Sequence, residues 1–321
     1  MEFRLDDEQL ELQDTVRRFC AAQFSPEQIR RREGRPIDRS EWRALAGLGV
    51  FGLLVPEADG GAGLGVVEAA IVFEQLGAHL VTGPVVWSAL AARHVAGAAS
   101  GDRIVGGVEQ EEPPLLVEHA ADVDALLVLR ADGVHVVTDL PPFEALAPFD
   151  PLTPVGRCDR LPRGERVGDA SDAARARLVG TVLGAAMLLG VSDAALERSR
   201  RYALDREQFG VPIGSFQAVQ HLLADMYVRT ALARSATYAA AAVLDDASIG
   251  DAPRATAAAK LLAGEAARAN ARAAIQVHGG VGVTWEMLPN HLLKRSWVLE
   301  HAFGDADAHA LALGSSLVDA A

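Results

Sequence analysis

Cysteine is scarce in this chain: two residues, Cys20 and Cys158, in 321. Two thiols so far apart exclude a disulfide framework and a Cys-rich metal centre, and they fit a reducing cytosol. Clustered cations are missing as well. The formal charge is −13 and no basic block stands out. Nucleic acid is excluded as a partner on that ground, because binding a phosphate backbone needs grouped Lys and Arg. The N-terminal stretch MEFRLDDE is charged and has no apolar core, so no secretory signal is expected there. The most apolar run, 178–191, is 14 residues long, short of the roughly 20 that a spanning helix requires. No membrane span and a cytoplasmic location are therefore expected. Internal repeats and low-complexity tails are also absent.

What is present is an Ala- and Gly-rich chain, half of it hydrophobic, long enough for two or three packed units. Residues 1–100 read as a helical domain. Leu5, Leu10, Leu12, Val16 and Phe19 recur at helical spacing. Pro26 opens a further turn, 41–48 reads as a short helix, 66–76 as an amphipathic one, and 85–99 as the last of the region. Asp59-Gly60-Gly61-Ala62-Gly63 lacks the Lys-Ser/Thr of a phosphate-binding P-loop and reads as a structural turn. Residues 101–170 change character. Short apolar runs at 104–107, 115–117, 125–129 and 134–137 suggest a small antiparallel β domain, with Ala131-Asp132-Gly133 as a hairpin turn. The proline-punctuated stretch 141–162 cannot be helical for long. Residues 171–321 read as an antiparallel four-helix bundle, with helices at 173–206, 216–247, 252–278 and 290–317. Asp251-Ala252-Pro253 supplies a helix start and Gly279-Gly280 a stop.

The stretch 206–217, REQFGVPIGSFQ, lies at the corner between the first two bundle helices. Arg206 offers a fork of donors suited to a pyrophosphate. Phe209 offers a flat apolar face. Gly210 and Gly214 permit tight turns, and Ser215 can cap a helix starting at Phe216, whose N-terminus favours an anion. Two readings stand side by side: the phosphate end of a nucleotide site, or an ordinary helix corner with a solvated arginine.

Residues 202–226, YALDREQFGVPIGSFQAVQHLLADM, resemble the signature of the acyl-CoA dehydrogenase family. Two further segments agree with it, IQVHGGVGVTWE at 275–286 and VPEADGGAGLGVVEAA at 55–70, in the family's order. The resemblance implies a mainly α fold with a small β domain, and FAD as cofactor. It implies that Arg206, Gln208, Phe209, Ile213, Phe216 and Gln217 hold the pyrophosphate and adenosine end of the flavin, with Gln276, Gly279 and Gly280 as a second loop at that end. In the family these contacts are made across a subunit interface. His278 is adjacent, with either a ribose or phosphate contact or a helix-terminal role open to it. The apolar stripe Val219, Leu222, Leu223 and Met226 suits either a bundle core or a partner subunit.

The family's chemistry also needs a carboxylate base beside the substrate's acidic carbon. Counting along 292–304 places the usual base position on Phe303, which cannot accept a proton. The family's other base position falls near Gly180, with Asp172 the closest acid, about two helical turns away. Glu300 and Asp305 are the substitutes close in sequence, followed by Asp307 and His301. Glu286 suits a turn. The middle region also lacks the family's threonine-rich Gly-Ser-Asp-type segment and the tryptophan segment that flanks the flavin ring. The resemblance thus implies the non-catalytic subunit of a heterotetrameric acyl-CoA dehydrogenase of bacterial lipid or steroid degradation. This chain would clamp FAD in trans, while a homologous partner carries the base and the acyl-CoA pocket. Two alternatives remain: a self-sufficient homo-oligomeric enzyme using Glu300 or Asp305, and a flavin-free scaffold. No metal is expected.

Overall fold

The computed structural model describes residues 5–109, 112–284 and 287–318. Glu286, and with it the turn role expected of it, lies outside these. In chain order the elements are α1 (Asp7–Gln23), α2 (Pro26–Arg31), α3 (Arg39–Gly47), α4 (Val66–Ala78), α5 (Val85–Ala91), β1 (Val105–Val108), β2 (Leu115–Glu118), β3 (Ala125–Arg130), β4 (Gly133–Val137), β5 (Glu144–Leu146), β6 (Val155–Cys158) and β7 (Glu165–Gly168). Then come α6 (Ala170–Asp205), β8 (Glu207–Gln208), β9 (Val211–Pro212), α7 (Gln217–Asp245), α8 (Ala252–His278), α9 (Pro289–His301) and α10 (Ala306–Val318). They fall into two compact units. One comprises Met1–Arg30, Ala70–Val81 and Thr181–Ala321; the other comprises Arg31–Ala69 and Thr82–Gly180. This is the expected mainly α fold with a small β region and C-terminal helices.

The sheet-bearing unit holds two sheets, ordered β1-β3-β4-β7 and β2-β6-β5. Each apolar run read from the sequence is a strand. Arg130 pairs with Gly133, so the expected hairpin turn is the dipeptide Ala131-Asp132. The unit is not wholly antiparallel: β1 and β3 run parallel, with Val105 opposite Ala125. The Trp87 ring lies where a Cβ on Gly107 would be, 2.0 Å from that point, so only glycine fits in β1 there. The glycine loop at 60–63 is the structural turn expected. A Cβ on Gly61 would come within 2.1 Å of the Val55 carbonyl oxygen.

The helical unit carries the C-terminal helices. α1 opens with a capping box in which the Asp6 side chain accepts from Gln9 N and the Gln9 side chain accepts from Asp6 N. α4 is buried almost all round, not amphipathic as its sequence pattern suggests. It lies against α6 at two glycines. A Cβ on Gly190 would be 1.9 Å from the Glu74 carbonyl oxygen, and one on Gly77 would be 2.1 Å from that of Met187. α6 is long and apolar enough to cross a membrane by length and composition, but 89% of its apolar window is buried inside the protein. α8 starts where expected, with Asp251 accepting from Arg254 N at 2.8 Å. It ends at His278, with Gly279 at φ +65°. The fourth bundle helix differs from expectation. It breaks at residues 302–305, where Phe303 has φ +58° and Gly304 φ +88°, and continues as α10. The region expected as a helix over 85–99 keeps helix only to Ala91.

Two buried polar networks tie the helical unit together. Asn270, fully buried, donates from Nδ2 to Ser192 Oγ (2.8 Å), Met226 O and Thr230 Oγ1 (both 3.0 Å). This joins α6, α7 and α8. Glu74, also buried, accepts from Arg234 Nη2 at 3.0 Å and from the Tyr238 hydroxyl. Arg234 also bonds Asp193 at 2.8 Å. Met226 belongs to this core with no exposed surface.

Candidate functional site

The corner after α6 is a two-residue hairpin. Glu207 pairs with Pro212 and Gln208 with Val211. The turn residues Phe209 and Gly210 have φ +56° and +82°. Positive φ at both central positions is the geometry that matches the twist of paired strands. Glycine adopts it freely, whereas a bulky residue adopts it at a cost of order 1 kcal/mol. The return is exposure: the Phe209 ring is 95% accessible. It meets the Phe216 ring edge to face, with centroids 6.2 Å apart. Ile213 N donates to Arg206 O at 2.8 Å, which closes the corner.

Arg206, Gln208, Phe216 and Gln217 are all exposed, and Ile213 is half-buried. Gln208 turns its amide back to its neighbour's carbonyl, Glu207 O, at 2.7 Å. Among the described residues the Arg206 guanidinium has no hydrogen-bond or ion-pair partner. Ser215 does not cap the next helix as expected. Its hydroxyl donates to Pro212 O at 2.7 Å, and Phe216 stands at the N-cap with no side-chain hydrogen bond. The start of α7 therefore presents uncapped main-chain N–H groups, a favourable place for an anion.

The second loop lies at the same end of the bundle. α7 and α8 are antiparallel neighbours joined by a short connection, so the end of α8 returns to the level of the start of α7. Tyr202 of α6 stacks on His278 of α8 with ring centroids 4.3 Å apart, which brings the two loops together. Gln276, Gly279 and Gly280 are exposed, and neither glycine has any atom within 4 Å of where a Cβ would stand. His278 is 4% accessible, and its Nδ1 is 2.7 Å from Ala274 O. Burial holds its pKa below the usual histidine value.

The base positions are different in kind. Phe303 is 4% accessible. Its left-handed backbone and the following Gly304 form a tight bend whose carbonyls are held by Lys260. The buried Lys260 Nζ donates to Glu300 O (3.2 Å), Ala302 O and Gly304 O (2.9 Å). Sequence reasoning missed Lys260 because a lysine within an Ala-rich helix reads as solvated. Both substitute acids already accept internal bonds. The Glu300 carboxylate, 8% accessible, accepts from Arg268 Nη1 at 2.7 Å. Asp305 caps α10, accepting from Ala308 N at 2.9 Å, and this bond holds its pKa below the ordinary carboxylate value. Near the other base position, Val179 and Thr181 are buried. Asp172 is occupied at the start of α6, accepting from Asp169 N at 2.9 Å.

Comparison with known proteins bears on the same features. The acyl-CoA dehydrogenase N-terminal domain model matches residues 6–100 and the acyl-CoA dehydrogenase C-terminal domain model matches 176–318. Acyl-CoA dehydrogenase IpdE2 of Mycobacterium tuberculosis is 33% identical over 288 residues, covering 87% of this chain and 88% of that protein. The chain belongs to the acyl-CoA dehydrogenase family. Among solved structures it is similar to a chain of the ChsE4-ChsE5 complex from Mycobacterium tuberculosis, with a TM-score of 0.84, 27% identity and 99% of each chain covered. It is also similar to a chain of the Tcur3481-Tcur3483 steroid acyl-CoA dehydrogenase, with a TM-score of 0.83, 25% identity and 98% of each covered. The family's members are oxidoreductases acting on acyl-CoA, and their cofactor is FAD.

The residues present fit one end of that cofactor. An unpaired arginine, an exposed ring, an uncapped helix start and two open glycines converge at one end of the helical unit. Together they supply the donors and the clearance that a diphosphate and its nucleoside require. The two base positions that the resemblance gives, by contrast, carry Phe303 and Gly180, neither of them an acid.

Proposed function

We propose that this chain is one subunit of an FAD-dependent acyl-CoA dehydrogenase built from unequal, homologous chains, a heterotetramer being the arrangement that the resemblance implies. When bound, FAD would supply the acceptor for hydride from the β carbon of the acyl thioester. This chain's part is to grip the adenosine diphosphate end from outside the flavin pocket. Arg206 takes the diphosphate, Phe209 and Phe216 flank the nucleoside, Gln217 and Gln276 supply polar contacts, and Gly279 and Gly280 let the main chain approach. The partner carries the flavin-ring pocket, the acyl pocket and the carboxylate that removes the α proton. Holding the flavin by atoms remote from the reaction fixes its position and leaves the chemistry to the neighbour.

The observation that carries this reading is the contrast between the two halves of the site. Most of the diphosphate-end residues are exposed, and among the described residues the Arg206 guanidinium has no partner, whereas Phe303, at the position where the resemblance puts the base, is buried and Glu300 is bonded to Arg268. The similarity to chains of two-component complexes supports it. The self-sufficient enzyme is disfavoured by the same two facts.

The test is co-expression with a homologous acyl-CoA dehydrogenase chain of the same organism, followed by measurement of flavin per chain. The reading expects a colourless, inactive chain alone and a complex with one FAD for each pair of unlike chains. Arg206→Ala should lower the flavin content of that complex. A flavin-free scaffold would instead leave flavin content unchanged by Arg206→Ala. One flavin per chain with acyl-CoA turnover in this protein alone contradicts the proposal.

A further inference from the structure

A groove of about 1100 Å³ opens in the helical unit between α4, α6, α7 and the end of α8, and none of the residues assigned above to the FAD end lines it. Most of its charged lining residues have partners. Glu197 bonds Arg200 and Arg201, at 2.8 and 2.6 Å. Asp193 bonds Arg234. Arg17 pairs with Asp14. Asp205 is exposed at the last residue of α6, seven residues and so about 10 Å along the helix from Arg198. Arg198 is left over. It is half-buried, and among the described residues it has no hydrogen-bond or ion-pair partner. A partly desolvated cation without a counter-charge is costly in a folded protein.

Two histidines converge on the same place. His79 and His278 each engage Nδ1 with the carbonyl four residues earlier, Gln75 O at 2.9 Å and Ala274 O at 2.7 Å. Among the described residues neither Nε2 has a partner. Burial holds both pKa values below the usual histidine value, and the charge of Arg198, which reaches both rings, adds to it. Beside these three groups the wall is apolar: Leu196, Leu223, Leu288 and the exposed face of Tyr227.

From this arrangement we propose that the groove is a binding site for an amphipathic organic anion, with its oxyanion head on Arg198 and its hydrocarbon body along Leu196, Leu223 and Leu288. The guanidinium fork suits a carboxylate or a phosphate monoester, and the two Nε2 atoms become additional donors when protonated. The groove is far larger than an inorganic ion needs, and its size lies near the upper end for small-molecule pockets. The proposal is independent of the FAD reading, because Arg206 and Arg198 serve different sites.

The probes are octanoate, octyl phosphate and the neutral octanol, titrated calorimetrically into the full chain. Octanoate or octyl phosphate should bind at least tenfold more tightly than octanol, and the tighter of the two identifies the head group. Arg198→Gln should weaken the anion at least tenfold, leave octanol binding unchanged, and keep or raise the thermal midpoint of the free protein, since no internal bond is lost. His79→Gln, which keeps the fold by a separate route, should weaken the anion by a smaller factor. Arg206→Gln should leave anion binding unchanged. Equal affinity for octanoate, octyl phosphate and octanol overturns the proposal. So does an Arg198→Gln protein that binds the anion as well as the parent does.

Discussion

Arg268 Nη1 donates to Glu300 Oε1 at 2.7 Å, three residues before the buried Phe303. The carboxylate is thereby engaged by a cation inside the helical unit, and the proposed reading gives it no part in proton transfer. Glu300→Gln should leave acyl-CoA turnover of the assembled enzyme unchanged within experimental error, whereas loss of a true base would cost about 10²- to 10⁴-fold. Arg268→Gln should instead lower stability by about 1–3 kcal/mol, because it strands the carboxylate. Steady-state kinetics and denaturant unfolding separate the two effects.

Gly190→Ala should be among the most damaging single-methyl changes in the chain. Its Cβ would stand 1.9 Å from the main-chain oxygen of Glu74, and main chain cannot swing aside as a side chain can. A loss of about 3 kcal/mol, at the upper end for overpacking, is expected. Gly184→Ala serves as the control. Its Cβ would meet only Lys260 Cε, at 3.8 Å, and the thermal midpoint should hold or rise.

Asn270→Ala should cost about 2 kcal/mol in chemical denaturation, since Ser192, Thr230 and the Met226 carbonyl lose their shared donor in a buried core. The Ser192→Ala loss should not add to it, because the two residues belong to one network.

The pH dependence of Glu197 has a definite sign. Its hydrogen bond from Arg200, with a second from Arg201, depresses its pKa to about 2. A depressed carboxylate contributes stability that is fully present above its unfolded value, about 4.3, and that is lost as pH falls through the folded value. The stability gap between the parent and Glu197→Gln should be constant from pH 7 to 5 and shrink between pH 4.5 and 2. The side chain is 39% accessible, so solvent screening keeps the gap below about 1 kcal/mol. Thermal unfolding of both proteins across that range measures it.

The elements of the fold that local chemistry dictates were legible in the sequence. Asp251 with Pro253 marks the start of α8, Ala131-Asp132 marks the hairpin, and the four apolar runs at 104–137 mark four strands. What local chemistry cannot show is which partners arrive from afar. The parallel pairing of β1 with β3 is such a case. So is the burial of α4, whose Gln75 and Glu74 look like a polar face until Arg234 and Tyr238 are placed beside Glu74. The break after α9 depends on Lys260, which is 44 residues before Gly304 and reaches its carbonyl. At the candidate site, the corner residues were legible because one short stretch contains most of them. That Ser215 turns to Pro212 rather than capping α7 required coordinates, as did the commitment of Glu300 to Arg268. The unpaired state of Arg198 is a property of the whole helical unit and leaves no trace in its neighbours in sequence.

The division of the site between two chains is tested most directly by a density map of the co-purified complex with FAD bound. The account predicts the diphosphate beside Arg206 of this chain, with the three-ring flavin head enclosed by residues of the other chain. A flavin head enclosed by this chain's own residues, beside one of its own carboxylates, would contradict it.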